Sequence, residues 1–515
     1  MKYDAIVIGA GPNGLVAATT LAERRKRVLV LESALEMGGH TRTIEFAPGC
    51  RSPLNDDGGW IPPAVRSLVG GFKGSTQVPR DVSLTVAGAD GARLTLHSSP
   101  EKAAAAIRTH SDRDAARWPA FVARLQKFAG ILAELYQLTP PEIDTRSVGE
   151  LLPLLGVGRK LRALGRADMI EFMRVLPMSA QDLLDDTFES ELLKAAVAAC
   201  AIRDLQQGPR SGGTTFNLLH YMVGAPQGSV RGRDCFLEAP DGFVNSVAEA
   251  ARKHGVEIRT GAPVVRIDVR DGAIAGVVLE GGEEVAAPRV ISTSDPSRTM
   301  GMVDPVWLDP DFMLGVRNIK LRGCTAFVFF AVAADVAGKV DHSTLSTISL
   351  TADTATLEKA ADAAKYGELS AEPHVEFFIP SQRWPGLAPD GTHVITARVQ
   401  YAPYHLKGGW NEARTVALRD KATAAIARLI PGFENAIRHR TVLTPRDVEE
   451  RFGVTDGALT HGEMTLDQIL FMRPVPGWGR YRLPIDGLFI GGAGAHPGPG
   501  ILGGAGYLAA RAALR

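Results

Sequence analysis

The chain has 515 residues with 57 basic and 57 acidic side chains, so its net charge is zero and gives no electrostatic reason to bind nucleic acid. Hydrophobic residues make up 45% of the sequence, which is ordinary for a globular protein. The length suggests about three domain-sized units. The cysteines are Cys50, Cys200, Cys235 and Cys324. They are far apart and form no CxxC pair, which argues against a disulfide framework or a zinc site. We therefore expect no metal.

No stretch of the sequence is an unbroken apolar run of about 18 residues, the length that spans a bilayer. The first predicted strand begins at Tyr3, which leaves no room for a targeting segment before it. We therefore expect a cytoplasmic protein. Peripheral contact with a membrane and the oligomeric state are left open.

A βαβ unit opens the chain. Tyr3–Ile8 and Arg27–Leu31 are predicted as buried strands because both are rich in Val, Ile and Leu. Asn13–Arg25 is predicted as the helix between them. Short connections of this kind are typical of the start of a parallel sheet.

A block rich in Leu, Ala and Met lies between residues 101 and 205 and is predicted to be helical. It interrupts the nucleotide-binding pattern and would suit a lid over an apolar cavity. The predicted amphipathic helices are Lys102–Arg108, Ala115–Leu138, Val148–Leu155 and Glu189–Leu205.

The second half of the chain predicts a mostly antiparallel sheet. Phe243–Gly255 is predicted as a helix, and short strands separated by glycine turns follow it. Longer strand-like runs then lead into a predicted helix over Glu412–Ile430. These runs are Cys324–Val332, His374–Ile379 and His393–Gln400.

The segment after the first strand, Gly9 to Gly14 (GAGPNG), fits the G-x-G-x-x-G dinucleotide fingerprint. Gly9 allows the tight turn, Gly11 lets the backbone approach a pyrophosphate, and Gly14 lets the helix pack on the strand. The helix N-terminus would point N–H groups at the phosphates. Glu32, at the end of the next strand, is placed to bond ribose hydroxyls. A carboxylate there disfavours a 2′-phosphate, so NADP is not expected.

A double glycine follows within Glu36–Thr43 (EMGGHTRT). Gly38 and Gly39 resemble the second phosphate signature of flavin oxidoreductases of the glutathione reductase-like and amine oxidase-like groups. This resemblance favours FAD over NAD. We expect Arg42 to face the pyrophosphate, and His40 to be a loop histidine rather than a catalytic base.

The C-terminal end has a second glycine-rich loop. Leu488–Ile490 is predicted as a short buried strand that runs into a loop over residues 491–506 and then an alanine-rich helix. Each glycine costs backbone entropy, and close approach of a planar ligand explains so many of them. The helix N-terminus near Gly500–Gly503 would face the flavin N1–C2=O edge, which becomes negative on reduction.

These segments together resemble the phytoene desaturase-like family of FAD-dependent oxidoreductases, in order and over nearly the whole chain. The specific pieces are VIGAGPNGLVAATTLA, VLVLE with GGHTRT, and FIGGAGAHPGPGILGGAGYLAAR. The AHPGPGI stretch looks closest to the subgroup of pyridine nucleotide-disulfide oxidoreductase domain proteins. The resemblance implies FAD as the cofactor, bound by Gly9, Gly11, Pro12, Asn13, Gly14, Glu32, Gly38, Gly39, Thr41, Arg42, Val265, Gly494, Gly500, Ile501, Leu502 and Gly503.

The predicted fold class is α/β. A Rossmann-like FAD-binding domain of the glutathione reductase type would carry an inserted antiparallel-sheet substrate domain and a helical lid. The FAD-binding domain is predicted to be discontinuous, with residues 1–75, 228–300 and 470–515. Residues 76–227 would form the mainly helical lid, and residues 301–469 the sheet-plus-helix substrate domain.

The sequence has no Ser-His-Asp order, metal cluster or P-loop, so candidates for proton transfer are few. His461 lies shortly before the last strand and His496 lies in the glycine-rich loop, and both are predicted catalytic residues. His220, Tyr221 and Glu463 are further candidates. A structural hydrogen-bonding role is the alternative for all five.

The predicted function is dehydrogenation or desaturation of a lipophilic small molecule, with hydride transfer from a substrate carbon to flavin N5. Three alternatives stay open: an amine oxidase, a non-redox isomerase and a flavin-binding protein without turnover. Aromatic residues are only 6% of the chain, which disfavours the aromatic cage that an amine oxidase would need. No second nucleotide fingerprint is present, so oxygen or a quinone is the expected electron acceptor.

Overall fold

The computed structural model describes residues 2–56, 59–88, 91–141, 148–231, 235–337, 346–351 and 353–515, with the backbone alone for 148–154 and 235. The predicted α/β class is confirmed. The helices are Pro12–Glu23, Pro63–Leu68, Pro100–Arg108, Asp112–Leu135, Val148–Ala163, Gly165–Val175, Ala180–Asp185, Glu191–Ala201, Thr214–Met222, Pro240–Lys253, Pro296–Gly301, Pro310–Arg317, Ala334–Ala337, Thr354–Lys365, Pro380–Arg383, Glu412–Leu429, Phe433–Ala436, Pro445–Phe452 and Gly504–Ala513.

A five-stranded parallel sheet contains both ends of the chain. Its buried strands are continuous apolar runs, as expected for a parallel sheet covered on both faces. Helices Pro12–Glu23 and Gly504–Ala513 pack against each other and share the apolar core of this sheet. The strand order is Leu488–Ile490, Val290–Ser292, Ala5–Ile8, Val28–Leu31 and Glu257–Arg259.

A three-stranded antiparallel sheet contributes side chains to the same core. Its buried members there are Ile267, Ile274, Val277, Leu279 and Val285. Its strands are Val264–Arg270, Ala273–Leu279 and Glu284–Ala286. Small two-stranded sheets pair Ile44–Ala47 with Cys50–Ser52, and Gln77–Val78 with Cys235–Phe236.

A seven-stranded, mostly antiparallel sheet forms the second large layer. One neighbouring pair, Thr347–Leu350 with Val82–Ala87, runs parallel. The strand order is Ile437–Leu443, Thr325–Ala333, Thr392–Gln400, His374–Phe378, Thr347–Leu350, Val82–Ala87 and Arg93–His97.

Two strands of this sheet, Val82–Ala87 and Arg93–His97, lie in the segment that the sequence assigned to the helical lid. Both are short; Val82–Ala87 is buried throughout, whereas Arg93–His97 alternates between buried and more exposed residues. The helical block therefore begins at Pro100, and the sheet takes strands from both sides of it in the chain. The domain bounds themselves stay a prediction.

Local signals explain where several helices differ from the prediction. The predicted helix over Glu189–Leu205 is shorter, Glu191–Ala201, because Ser190 caps it by accepting from Leu193 N. The helix predicted from Phe243 begins earlier, at Pro240, since proline suits the first turn of a helix.

Candidate functional site

The first glycine loop folds as a tight turn between strand and helix. Gly9 has φ 98°, a conformation that L side chains rarely adopt. A Cβ on Gly14 would overlap the carbonyl oxygen of Gly9, so only glycine lets the helix pack this closely. A Cβ on Gly11 would have no heavy atom of the described residues within 4 Å. The loop therefore presents an open backbone surface at Gly11.

The start of helix Pro12–Glu23 is suited to an anion. Its N-cap, Gly11, offers no side-chain hydrogen bond, which leaves the first N–H groups available to a ligand. Glu32 is 8% exposed, and its carboxylate accepts from Ala10 N at 2.7 Å and from Ala34 N at 2.9 Å. The carboxylate is thus fixed beside the loop, at the end of the neighbouring strand.

The double-glycine loop lies directly on the first loop. Gly38 N donates to Ala10 O at 2.9 Å, and a Cβ on Gly39 would lie 3.8 Å from Gly11 Cα. Arg42 Nη1 donates to Glu36 O at 2.9 Å. Its buried Nε has no hydrogen-bond partner among the described residues. Such an unused charged donor next to an uncapped helix fits a phosphate ligand.

The C-terminal loop brings a second helix start to the same place. Gly503, with φ 73°, is the N-cap of Gly504–Ala513 and offers no side-chain hydrogen bond. A Cβ on Gly506 would overlap the carbonyl oxygen of Asn13, and Gly506 N donates to Asn13 Oδ1 at 3.4 Å. Two uncapped helix N-termini therefore lie side by side.

The loop before this helix is paired with the segment around Trp60. Trp60 N donates to Gly500 O at 2.9 Å, and Leu502 N donates to Trp60 O at 2.8 Å, on either side of Ile501. Gly494 has a different reason to be glycine, because its Cβ would lie 2.6 Å from Pro296 Cδ. The structure thus fixes the backbone of Gly500–Leu502 by strand-like pairing.

Val265 lies apart from these loops. It is in strand Val264–Arg270, where the register shifts between Val264 and Arg266 and leaves Val265 as the extra residue of a bulge. Its side chain is 50% exposed. An unpaired backbone at a bulge can meet a ligand, and its predicted contact with FAD stays a prediction.

A cavity of about 100 Å³ lies between the double-glycine loop, the C-terminal loop and the rest of the protein. The loops contribute His40, Thr41, Gly500 and Leu502. The remaining wall is more polar than the sequence suggested for an apolar site; its members include Asn55, Arg203, Asp204, Tyr221, Phe236, Arg398, Leu459 and Thr460.

Asp204 is the centre of this polar wall. Arg398 Nη2 donates to its Oδ1 at 2.5 Å, and Tyr221 donates its hydroxyl to Oδ2 at 3.0 Å. Burial acts to raise the pKa of Asp204, but the guanidiniums of Arg398 and Arg203 and the Tyr221 hydroxyl lower it below its ordinary value. Asp204 is therefore an anion at neutral pH. Its φ of 57° is left-handed, and such residues cluster at functional sites.

Neither predicted catalytic histidine is among the described residues that line this cavity. His496 is 2% exposed, and its Nε2 faces Leu135 O at 3.2 Å. Burial lowers the pKa of His496 to about 4 and that of His461 to about 4 as well, so both rings are neutral at pH 7. Each leaves Nδ1 without a hydrogen bond among the described residues. Their catalytic roles stay predictions.

The other proton-transfer candidates have structural partners. His220 Nε2 is 2.8 Å from Pro499 O, and a carbonyl oxygen can only accept, so this nitrogen carries the proton. Nδ1 therefore accepts from the Tyr136 hydroxyl at 2.8 Å. This chain of bonds ties the glycine-rich loop to the helical block. Glu463 accepts from Gln206 N at 2.6 Å, and burial raises its pKa.

Arg473 fixes the loop from the other side. Its guanidinium is 1% exposed and donates to five carbonyl oxygens: Ala493 at 2.9 Å, Gln468 at 3.1 Å, Gly462 at 3.0 Å, Thr460 at 2.5 Å and Glu463 at 3.5 Å. Burial lowers the pKa of Arg473 to about 10, which still leaves it charged at neutral pH.

No sequence motif predicts the polar wall. Asn55, Arg203, Asp204 and Arg398 come from distant segments that match no motif. The one available signal was the charged pair Arg203-Asp204 directly after the apolar run Ala195–Ile202, since buried charges require partners.

In the described part of the chain, no helix is long and apolar enough to cross a bilayer. Within the same residues, no three His, Cys, Asp or Glu side chains are grouped as metal ligands would be.

Comparison with known proteins identifies the family. The model of the family "flavin containing amine oxidoreductase" matches residues 13–497. The rat protein "pyridine nucleotide-disulfide oxidoreductase domain-containing protein 2" is 32% identical, over 100% of this chain and 94% of its own. A neurosporene-forming phytoene desaturase of Rhodobacter capsulatus is 24% identical, over 96% and 91% of the two chains.

Among solved structures, putrescine oxidase bound to putrescine has a TM-score of 0.62 at 16% identity, covering 100% of this chain and 98% of its own. This similarity shows the fold alone. The resemblance predicted from the sequence is confirmed by the family model and the curated relatives. The chain belongs to the flavin-containing amine oxidoreductase family and is an FAD-dependent oxidoreductase.

Proposed function

We propose that this protein oxidises a small molecule by hydride transfer from a substrate carbon to FAD bound at the cavity between the two glycine-rich loops. The observation that carries the proposal is the pair of uncapped helix N-termini, at Gly11 and Gly503, which lie side by side. The double-glycine loop, which lies on the first loop, and the C-terminal loop, which leads into Gly503, line the cavity. Two such positive ends suit a cofactor with anionic groups.

The first and second glycine loops would hold the ADP half of FAD. Gly9 to Gly14, with Pro12 and Asn13 opening the helix, would receive the pyrophosphate at the open face of Gly11. Glu32 would accept from the ribose hydroxyls. Arg42 Nε would donate to a phosphate oxygen, with Gly38, Gly39 and Thr41 passing alongside, and Val265 would contact the adenine.

The C-terminal loop would hold the flavin. Gly500, Ile501, Leu502 and Gly503 have a backbone fixed by pairing with Trp60, and Gly494 keeps the preceding turn packed. FAD, when bound, supplies the hydride acceptor. The N-terminus of helix Gly504–Ala513 would stabilise the negative charge that reduction places nearby.

The polar wall would orient the substrate. Asp204 has a lowered pKa and is therefore a poor proton acceptor, so we assign it to hydrogen bonding and charge complementarity rather than to base catalysis. The proton that accompanies hydride loss would leave to water. We accordingly propose a substrate with a polar group next to the reacting carbon, and Phe236, Leu459 and Leu502 would contact its apolar part.

A C–N bond is a second candidate for the oxidised bond. Asp204 is a carboxylate with its side chain 16% exposed, beside the proposed flavin position, and an ammonium group would complement it. The family description, amine oxidoreductase, supports the same reading. The wall also carries two guanidiniums, Arg203 and Arg398, which favour a neutral or acidic polar group instead. We therefore keep amine oxidation as the alternative.

The test is anaerobic titration of the purified holoprotein with alcohols, acids, amines and apolar polyenes, followed by the visible flavin absorption. Bleaching by one class identifies the substrate class, and product mass gives the bond that is oxidised. A product of unchanged mass would replace oxidation with isomerisation. Reoxidation with oxygen or a quinone, with hydrogen peroxide assayed, then identifies the acceptor. Bound flavin that no class reduces would contradict the proposal.

A further inference from the structure

The helix Gly165–Val175 exposes apolar side chains on one face. Phe172 and Val175 are buried, whereas Met169, Ile170 and Met173 are 42%, 56% and 65% exposed. These three residues lie within one turn of each other on the same side of the helix. Soluble proteins rarely expose several large apolar side chains together without a binding role.

Arginines flank this apolar face. Arg166 precedes Met169 by three residues and is exposed on the same side. The preceding helix, Val148–Ala163, contacts this one and adds exposed Arg159 and Arg162. None of the three arginines has an ion pair among the described residues, whereas neighbouring Lys160 pairs with Glu134. We call Arg159, Arg162, Arg166, Met169, Ile170 and Met173 the docking stripe.

Two other exposed apolar side chains lie among mostly acidic residues. Val306 and Leu314 are 76% and 56% exposed. Their charged neighbours in the chain are Asp304, Asp309 and Asp311, with Arg317 as the one base. An anionic surface would on balance repel these neighbours and attract the docking stripe. Charge therefore distinguishes Val306 and Leu314 from the stripe.

We propose that the docking stripe binds the surface of an anionic lipid bilayer. Met169, Ile170 and Met173 would enter the interface between headgroups and acyl chains, and the arginines would contact lipid phosphates, as in other interfacial amphipathic helices. A helix of this length lies on the membrane and does not cross it. The proposal uses no residue of the cavity and stands apart from the proposed reaction.

Sedimentation with lipid vesicles tests the proposal. Full-length holoprotein is mixed with vesicles of phosphatidylcholine alone and of phosphatidylcholine with phosphatidylglycerol. We expect binding to the anionic vesicles and weaker binding to the neutral ones. The triple variant Met169→Ser, Ile170→Ser and Met173→Ser should bind at least about tenfold more weakly, because insertion of apolar area drives interfacial binding.

Two further variants make the test specific. Arg159→Gln with Arg162→Gln and Arg166→Gln should remove the preference for anionic vesicles. The matched control, Val306→Ser with Leu314→Ser, should bind like the unchanged protein. All these side chains are exposed, so unchanged flavin content and thermal unfolding confirm the fold of each variant.

Three results would overturn the proposal. The first is failure of the unchanged protein to sediment with anionic vesicles. The second is equal sedimentation of the unchanged protein and the triple serine variant of Met169, Ile170 and Met173. The third is a dimer by light scattering that this variant converts to a monomer, without any vesicle binding, which would assign the stripe to a second copy of the chain.

Discussion

The two sides of the cavity differ in whether backbone groups or side chains form them. The cofactor side is largely backbone: glycines at positions 9, 11, 14 and 503 and two helix starts, with Glu32 and Arg42 as its charged side chains. The substrate side is made of charged and polar side chains, with Asp204 between Arg398 and Tyr221. Backbone cannot be changed without changing the fold, whereas side chains can be exchanged.

The two sides should therefore differ in how they tolerate amino-acid substitutions. Variants on the cofactor side should lose the fold or the flavin, and variants on the substrate side should keep both and lose turnover.

Gly14→Ala should abolish the folded protein, because its Cβ would overlap the carbonyl oxygen of Gly9 within the packed core. Gly130→Ala is the matched control, since a Cβ there has no described neighbour within 4 Å and alanine in a helix gains about 0.5–1 kcal/mol over glycine. Soluble yield and thermal unfolding measure both. A Gly14→Ala protein as stable as the control would refute the account of this loop.

Asp204→Asn should retain FAD and lower kcat/KM at least about tenfold, because the buried Arg398 guanidinium loses its anionic partner and the wall loses its charge pattern. Flavin content and steady-state kinetics with the identified substrate measure this. Asp467→Asn, at an exposed pair with Lys320, serves as the control and should leave kinetics unchanged. Normal turnover in Asp204→Asn would remove Asp204 from the substrate wall.

Arg42→Gln should weaken FAD binding about tenfold, the effect of losing one charge-assisted hydrogen bond. The dissociation constant comes from titrating the apoprotein with FAD and following flavin fluorescence. Arg317→Gln, at an exposed position in helix Pro310–Arg317, is the control. If both variants bind FAD equally well, Arg42 does not face the pyrophosphate.

His496 should make stability depend on pH. Burial lowers its pKa from 6.5 to about 4, so the unfolded chain binds this proton between those values and the folded chain does not. The stability contributed by the neutral ring is complete above about pH 6.5 and is lost as pH falls towards 4. His496→Gln should show a smaller fall in unfolding temperature over this range, by about 2 °C. Exposed His254→Gln should behave like the unchanged protein, and an unaltered pH profile in His496→Gln would contradict this assignment.

The parts of the site that could be read from the sequence are those with local causes. The glycine at position 14 is required by contacts only five residues away, and the strand–turn–helix order around it follows from apolar runs and turn residues. The last strand, Leu488–Ile490, matches its predicted bounds for the same reason.

The features that could not be predicted from the sequence depend on tertiary contacts. The strand Val82–Ala87 joins the large sheet by pairing with Thr347–Leu350, more than two hundred residues away in the chain. The partners of Asp204 are Tyr221 and Arg398, and no spacing rule connects them. His496 belongs to a conspicuous loop, but burial against Leu135 and the ring of Tyr136 turned it away from the cavity.

The central claim is that the open backbone at Gly11 receives the FAD pyrophosphate. The most direct measurement is the flavin content and thermal unfolding of Gly11→Val, compared with the unchanged protein and its apoprotein. Because this position has φ −72° and no described atom within 4 Å of a Cβ, the variant should fold like the apoprotein and carry no flavin. A folded Gly11→Val protein with stoichiometric FAD and a normal visible spectrum would contradict the account.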